Sequence, residues 1–393
     1  MRQSHGHVRV AVVGLTVVTL ASGVNAARPQ RFGDPLPGLP RELLAEFAVG
    51  QDAFTEKEEA TEGLGPVFNE RSCVACHKSP ATGGDSTIVE TRFGTTTGGT
   101  FDPMTAHGGS LLQEHGIDRR GGCGGETVPP NATIVAKRKT TPLFGLGLVE
   151  AVPDATLLAL AGRQRATNAD VAGKPHVVTD VASGQRRVGR FGWKAQVATL
   201  LTFSADAYLN EMGFTSPMFP VENAPNGDAE LLARCDANAT TLDDDGDDVE
   251  AFAAFMRLLA PPPRGRIAAD VEIGEQIFAR IGCAICHEPS LTTGPHEVAA
   301  LDRVTFQPFS DFLLHDMGSL GDGIHQGEAT GREMRTAPLW GLRARETFLH
   351  DGRARTVQSA IRAHDGQGRA ARDAFERLDA LDTRKLLAFL KSL

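Results

Sequence analysis

The chain has 393 residues, with 40 Lys and Arg against 49 Asp and Glu, for a formal net charge of −9. That length suggests two domains, each large enough to bury a core. The acidic balance argues against a role on nucleic acid or on an anionic membrane surface, because both demand clustered positive charge.

The first 26 residues have a basic start at Arg2 and Arg9, an apolar run, and the small-x-small pattern Val24-Asn25-Ala26. These features predict a secretory signal peptide over 1–26. Its removal takes away two arginines and no acids, so −9 becomes −11. A retained membrane anchor is the alternative, disfavoured because the apolar run is short and broken by Gly and Thr. No other segment is long and apolar enough to span a bilayer, so no stable membrane span is expected after cleavage.

Apolar residues at helical spacing in "PRELLAEFAVGQDAF" predict a helix. It precedes "SCVACH", which holds Cys73, Cys76 and His77. The pattern recurs as "IGCAICH" at Cys283, Cys286 and His287, after a second helical stretch, "DVEIGEQIFARI". Two copies of C-x-x-C-H in a chain with 6 Cys and 12 His are not an accident of composition. The pattern reads as c-type heme attachment: the two thiols add across the vinyl groups and the adjacent imidazole becomes the proximal iron ligand. A zinc site or a redox dithiol is the weaker alternative, since zinc wants four converging ligands and a dithiol does not need the histidine. Two covalently bound hemes c are therefore expected at His77 and His287, and export with heme attachment points to a bacterial periplasm. Cys123 and Cys235 remain, as a disulfide or as two free thiols.

Between the motifs, residues 83–135 are rich in Gly and Thr and read as an ordered loop insertion with little regular structure. "KTTPLFGLGLVEAVPDA" (139–155) resembles "RTAPLWGLRARETFLHDGRA" (335–354), with Pro142 and Gly145 matching Pro338 and Gly341. The acidic run 243–248 lacks EF-hand spacing and reads as a solvated turn opening a helix. The closing stretches 248–260 and 382–393 also resemble each other, with Phe255 and Phe389 in register. Three prolines at 261–263 cannot continue a helix and mark a boundary. The expected fold is mainly α, with two cytochrome c-like heme domains in tandem carrying long loop insertions: 27–262 and 263–393.

"GLGPVFNERSCVACH", "GLGLVEAVPD", "GRFGWKA", "LLHDMG", "RTAPLWGLR" and "FLHDGRARTVQSAIRAH" together resemble the bacterial di-heme oxidoreductase family, which is related to di-heme cytochrome c peroxidases. The resemblance covers most of the mature chain. It implies a heme-dependent oxidoreductase in which the C-terminal heme receives electrons from a small redox protein or a quinol-linked donor. The N-terminal heme would act on peroxide, or drive the oxidation of a protein substrate. A non-catalytic di-heme electron-transfer cytochrome is the alternative. An interdomain calcium ion is known in some relatives, though no loop here specifies it.

In the relatives the sixth ligand of the second heme follows the "HDG" motif. Here that motif is His350-Asp351-Gly352, and the position corresponds to His364, with Met317 and Met334 as rivals. By the internal repeat His364 maps onto Asn168, a poor iron ligand. The first heme therefore has either a vacant face or a replacement ligand: His107 first, then Met104 and His115. Glu150 is the nearest acid/base candidate for peroxide chemistry, with a purely structural carboxylate as the equal alternative; His176 is a weaker one. Arg190, Trp193 and Lys194 are candidates for heme propionate contacts. Trp193 or Trp340 could relay electrons between the hemes, although each is more often a packed core aromatic. His315 and His350 are expected to support the second heme by hydrogen bonding.

Overall fold

Each C-x-x-C-H motif is framed by a crossed pair of helices. In the computed structural model, which describes residues 28–118, 121–236 and 241–393, helix Arg41–Thr55 packs against helix Asp247–Leu258. Phe47 and Phe54 meet Phe255 at ring-centroid distances of 5.2 and 4.9 Å. The backbones touch at Gly50, where a Cβ would lie 2.3 Å from the Ala251 carbonyl oxygen, so only glycine fits. Around the second motif, helix Ala269–Arg280 packs against Ala380–Leu390 in the same way. Phe278 meets Phe389 at 5.3 Å, and a Cβ on Gly274 would lie 2.1 Å from the Lys385 carbonyl oxygen. The closing helices begin well: Asp247, Asp248 and Glu250 place negative charge in one first turn, and the Asp379 side chain caps the other through the amides of Leu381 and Asp382.

The internal repeat also holds in backbone detail. Gly145 and Gly341 take the same left-handed conformation, at φ 73° and 72°. Their amides donate to the carbonyls of Leu259 and Leu393 respectively, each just beyond its closing helix.

The insertion differs from its expected form. Val89–Thr97 pairs with Ile134–Lys139 from Val89↔Lys139 to Gly94↔Ile134, and also with Leu111–Leu112 and Thr100–Asp102. The last pairing closes through Gly98 and Gly99, both at positive φ, as a two-residue hairpin requires. The threonines read as loop composition are β-branched residues that suit a pleated strand. The described chain is thus mixed, with a four-stranded sheet and shorter ladders beside the helices, and not mainly α.

Arg31–Leu393 forms one compact unit with two large apolar clusters. The larger runs from Leu36 to Ala260 and also takes in Leu291, Leu301, Phe306, Phe312, Leu313 and Trp340 from beyond the proline run. The smaller lies wholly within 271–393. Cys123 and Cys235 form a disulfide across 112 residues. No helix among the described residues is long and apolar enough to cross a membrane. The predicted signal peptide lies outside the described residues.

Candidate heme sites

A cavity opens beside each motif. The first, about 530 Å³, is lined by Cys73, Cys76 and His77; the second, about 330 Å³, by Cys283, Cys286, His287 and His364. One wall serves both: Lys139, Thr140, Thr141, Gly192, Trp193 and Phe203 face each cavity. Trp193 is fixed in that wall because its indole N–H donates to the Lys139 carbonyl at 2.8 Å.

Each motif is a tight turn. Cys73–Cys76 is a single helical turn, and Cys283–Ile285 is a 3-10 turn entered through Gly282 at φ 92°. Burial pushes the thiols of Cys73, Cys76 and Cys283 up to about 12, so they are neutral at physiological pH. Three imidazoles are oriented by backbone. His77 Nδ1 lies 3.1 Å from the Gly84 carbonyl, His287 Nδ1 3.0 Å from Phe309, and His364 Nδ1 2.8 Å from Ala360. A carbonyl can only accept, so each Nδ1 carries the proton and each Nε2 keeps a lone pair, the tautomer an iron ligand needs. Burial lowers His77 to about 4. Burial and the charge of His364 lower His287 to about 4, and both rings line the second cavity.

The second cavity also has more basic than acidic side chains in its lining. Arg335 donates to the carbonyls of Gly192 at 2.6 Å and Thr336 at 3.0 Å; Arg345 donates to Pro338 at 3.1 Å and Trp340 at 3.4 Å. Both line the second cavity, neither is hydrogen-bonded to a carboxylate among the described residues, and Arg345 Nε is buried without a partner. Burial and the charge of Arg345 lower Arg335 to about 10. Asp311 and Asp85 offset these charges only from a distance, so two guanidiniums with no hydrogen-bonded carboxylate suit an anionic ligand. In the first cavity Arg138 Nη2 and Ser204 Oγ are likewise buried and unpartnered. An apolar slot, an imidazole lone pair and buried donors for carboxylates fit a heme with its propionates at both motifs. Among the described residues no group of three or more His, Cys, Asp or Glu could hold a free metal ion.

The first cavity has an acid pair in its wall. Glu90 and Glu211 are hydrogen-bonded to each other. Burial opposes charge on Glu90, but Arg92 and Arg138 outweigh it and hold that carboxyl below its usual range. Burial and the Glu90 charge drive Glu211 the other way, well above the usual carboxyl range, while Asn69 Nδ2 donates to its Oε2 at 2.7 Å. One carboxylate and one carboxylic acid therefore stand side by side, a proton acceptor next to a donor.

Residues 130–393 match the model of the family described as di-haem oxidoreductase, putative peroxidase. The chain belongs to this family. Membership implies two hemes. No curated protein gives a match. Three solved structures are remote likenesses. Hydrazine synthase of Kuenenia stuttgartiensis has 17% identity over 99% of this chain and 100% of that one, with a TM-score of 0.40. A MauG-like protein associated with microbial copper homeostasis has 15% identity over 94% of each chain, at 0.41. The diheme peroxidase BthA from Burkholderia thailandensis E264 has 14% identity over 89% and 86%, at 0.39.

Several residues singled out from the sequence of this di-haem oxidoreductase lie elsewhere than expected. Glu150 lines neither cavity: its Oε1 accepts from the Leu200 amide at 2.7 Å and its Oε2 pairs with Arg257 Nε at 2.9 Å, tying helix Leu200–Met212 to helix Asp247–Leu258. His107 lies on the turn Thr105–His107 against Pro225–Gly227, away from both cavities, whereas His115 faces the first. Asn168 lines the second cavity, so the repeat offset does not carry it over His77. Arg190 borders the second cavity, but all its nitrogens are engaged by the Val149, Glu150, Val152 and Val188 carbonyls and by Asp154, which leaves none for a propionate. Lys194 is buried against Asp322, and His176 bridges the Lys194 carbonyl and the Glu328 amide. Trp340 packs on Phe306, which leaves Trp193 as the tryptophan between the cavities. Met317, Met334 and His350 line the second cavity, and His315 is fully bonded by Asp311, Gln367 and the Cys286 sulfur.

Glu90, Arg92 and Arg138 escaped the sequence reading because a strand assembles them. Glu90 and Arg92, two apart, share one face of Val89–Thr97, and Arg138 is the cross-strand partner of Glu90. The alternating "VETRF" was the available signal.

Proposed function

We propose that the chain is an exported, periplasmic, peroxidase-like enzyme made of two cytochrome c-like units, 27–262 and 263–393. One heme would be attached at Cys73 and Cys76 with His77 as ligand, and the other at Cys283 and Cys286 between His287 and His364. The Glu90–Glu211 pair carries the reading, because peroxide cleavage needs a base and an acid side by side. A bound heme supplies an iron that exchanges electrons with peroxide. Glu90 takes the proton of the near oxygen, and Glu211 gives its proton to the far oxygen, which leaves as water. Two electrons and two further protons complete the balance of peroxide to two waters. The electrons come from a small redox protein or a quinol-linked donor at the second heme and cross the wall at Trp193.

His115 supports a second reading. If its imidazole takes the open position of the first heme, both irons are six-coordinate and the protein is an electron carrier. Low-temperature EPR of the ferric protein separates the two. One high-spin and one low-spin signal, with a rapid change on adding peroxide, support the peroxidase reading. Two low-spin signals that ignore peroxide in both the oxidised and half-reduced protein would sink it.

A further inference from the structure

The side chain of Arg138 joins the first cavity to the C-terminal half. Its Nε donates to Asp322 Oδ2 at 2.7 Å and its Nη1 to Gln326 Oε1 at 2.6 Å. Asp322 accepts on its other oxygen from Lys194 Nζ at 3.0 Å. These three charged side chains are all 1% exposed or less, and they carry two positive charges against one negative. Glu90 stands 4.0 Å from Arg138 Nη1, but it is already engaged by Arg92 Nε at 3.0 Å and by Glu211. Arg138 Nη2 is left with no partner, and Ser204 Oγ is a second unpartnered group in the wall of the same cavity. An arginine stays protonated in a protein interior, and Glu90 offsets its charge without reaching Nη2, so that nitrogen is a free charged donor for an anionic ligand.

We propose that Arg138 is an anion clamp: its Nη2 holds a propionate carboxylate of the heme in the first cavity, while Asp322 and Gln326 grip the rest of the fork from the C-terminal half. This rests on the reading that the first motif holds a heme. The clamp sets how strongly the protein favours ferrous over ferric iron there. A nearby positive charge raises the reduction potential of a heme, and its neutralisation lowers it. Arg138 and Asp322 therefore act in opposite senses at one site, although they are bonded to each other. It is a positioning role, distinct from proton transfer by Glu90 and Glu211.

The test measures both midpoint potentials by spectroelectrochemistry in the exported, heme-loaded protein, alongside heme content per chain. Arg138→Gln should lower the potential of the first heme, Asp322→Asn should raise it, and the second heme should stay put. Arg138→Lys, which keeps the charge, should recover most of the lost potential. A merely structural link would move both variants in the same direction, and that result, or no shift with two hemes present, overturns the clamp. If Arg138→Gln fails to fold, the sign of the Asp322→Asn shift decides alone: upward supports the clamp, flat or downward overturns it. A wild-type chain holding one heme would instead overturn the two-heme reading itself.

Discussion

The indole N–H of Trp193 and the carbonyl of Lys139, 2.8 Å apart, pin the tryptophan ring in the wall shared by both cavities. Phe203 shares that wall, but it is the indole that is oxidised more readily and is pinned by a hydrogen bond. Trp193→Phe should therefore slow electron passage between the hemes while leaving their absorption spectra intact. Stopped-flow reduction of the first heme through the second reads the effect. An unchanged rate would remove Trp193 from the route.

His364 presents its Nε2 lone pair because its Nδ1 proton is committed to Ala360. His364→Met should raise the potential of the second heme, since thioether favours ferrous iron where imidazole favours ferric. His364→Ala should open that iron and convert its spectrum from low-spin to high-spin. A low-spin spectrum that survives the alanine change would transfer the ligand role to Met317 or Met334, which line the same cavity.

Glu211 keeps its proton above the usual carboxyl range, through burial and the charge of Glu90. Its protonated form is the donor, so peroxide turnover should fall as pH rises through that raised value. Glu211→Gln should remove this alkaline limb and lower kcat by about 100-fold or more, the usual scale for a positioned acid. Steady-state rates across pH 5 to 10 check it. A profile that keeps the same alkaline limb in the variant would assign the limb to another group.

Gly274 lets helix Ala269–Arg280 cross helix Ala380–Leu390 at backbone contact. Gly274→Val would force the pair apart and should cost about 1–3 kcal/mol or more, as overpacking does. Urea denaturation would register this as a lower midpoint. The same change at Gly38, whose Cβ would meet nothing within 4 Å but whose φ is 79°, isolates backbone strain from crowding.

How much could be read in advance followed from how local each signal was. The framing helices were legible because apolar residues at helical spacing stand on either side of each motif, and Phe255 and Phe389 revealed the repeat. His364 was found by its distance from "HDG" and does face the second cavity. The acid pair was not legible. Glu90 and Glu211 lie 121 residues apart in sequence and meet only through a strand and a helix. The strand sits in a Gly- and Thr-rich stretch whose composition suits a loop as well as a hairpin. Arg190 misled for a different reason: an arginine near a heme motif suggests a propionate, but five carbonyl and carboxylate partners nearby had already claimed it.

The shared wall bears on whether the two halves of the chain could live apart. Lys139, Gly192, Trp193 and Phe203 belong to the first copy of the repeat, yet they enclose the second copy's cavity. A chain beginning at residue 263 would carry Cys283, Cys286 and His287 but lack that side of the slot. The dependence runs one way, because the lining of the first cavity lies wholly within residues 54–256. A cut at the proline run would therefore open the second slot while leaving the lining of the first in one piece.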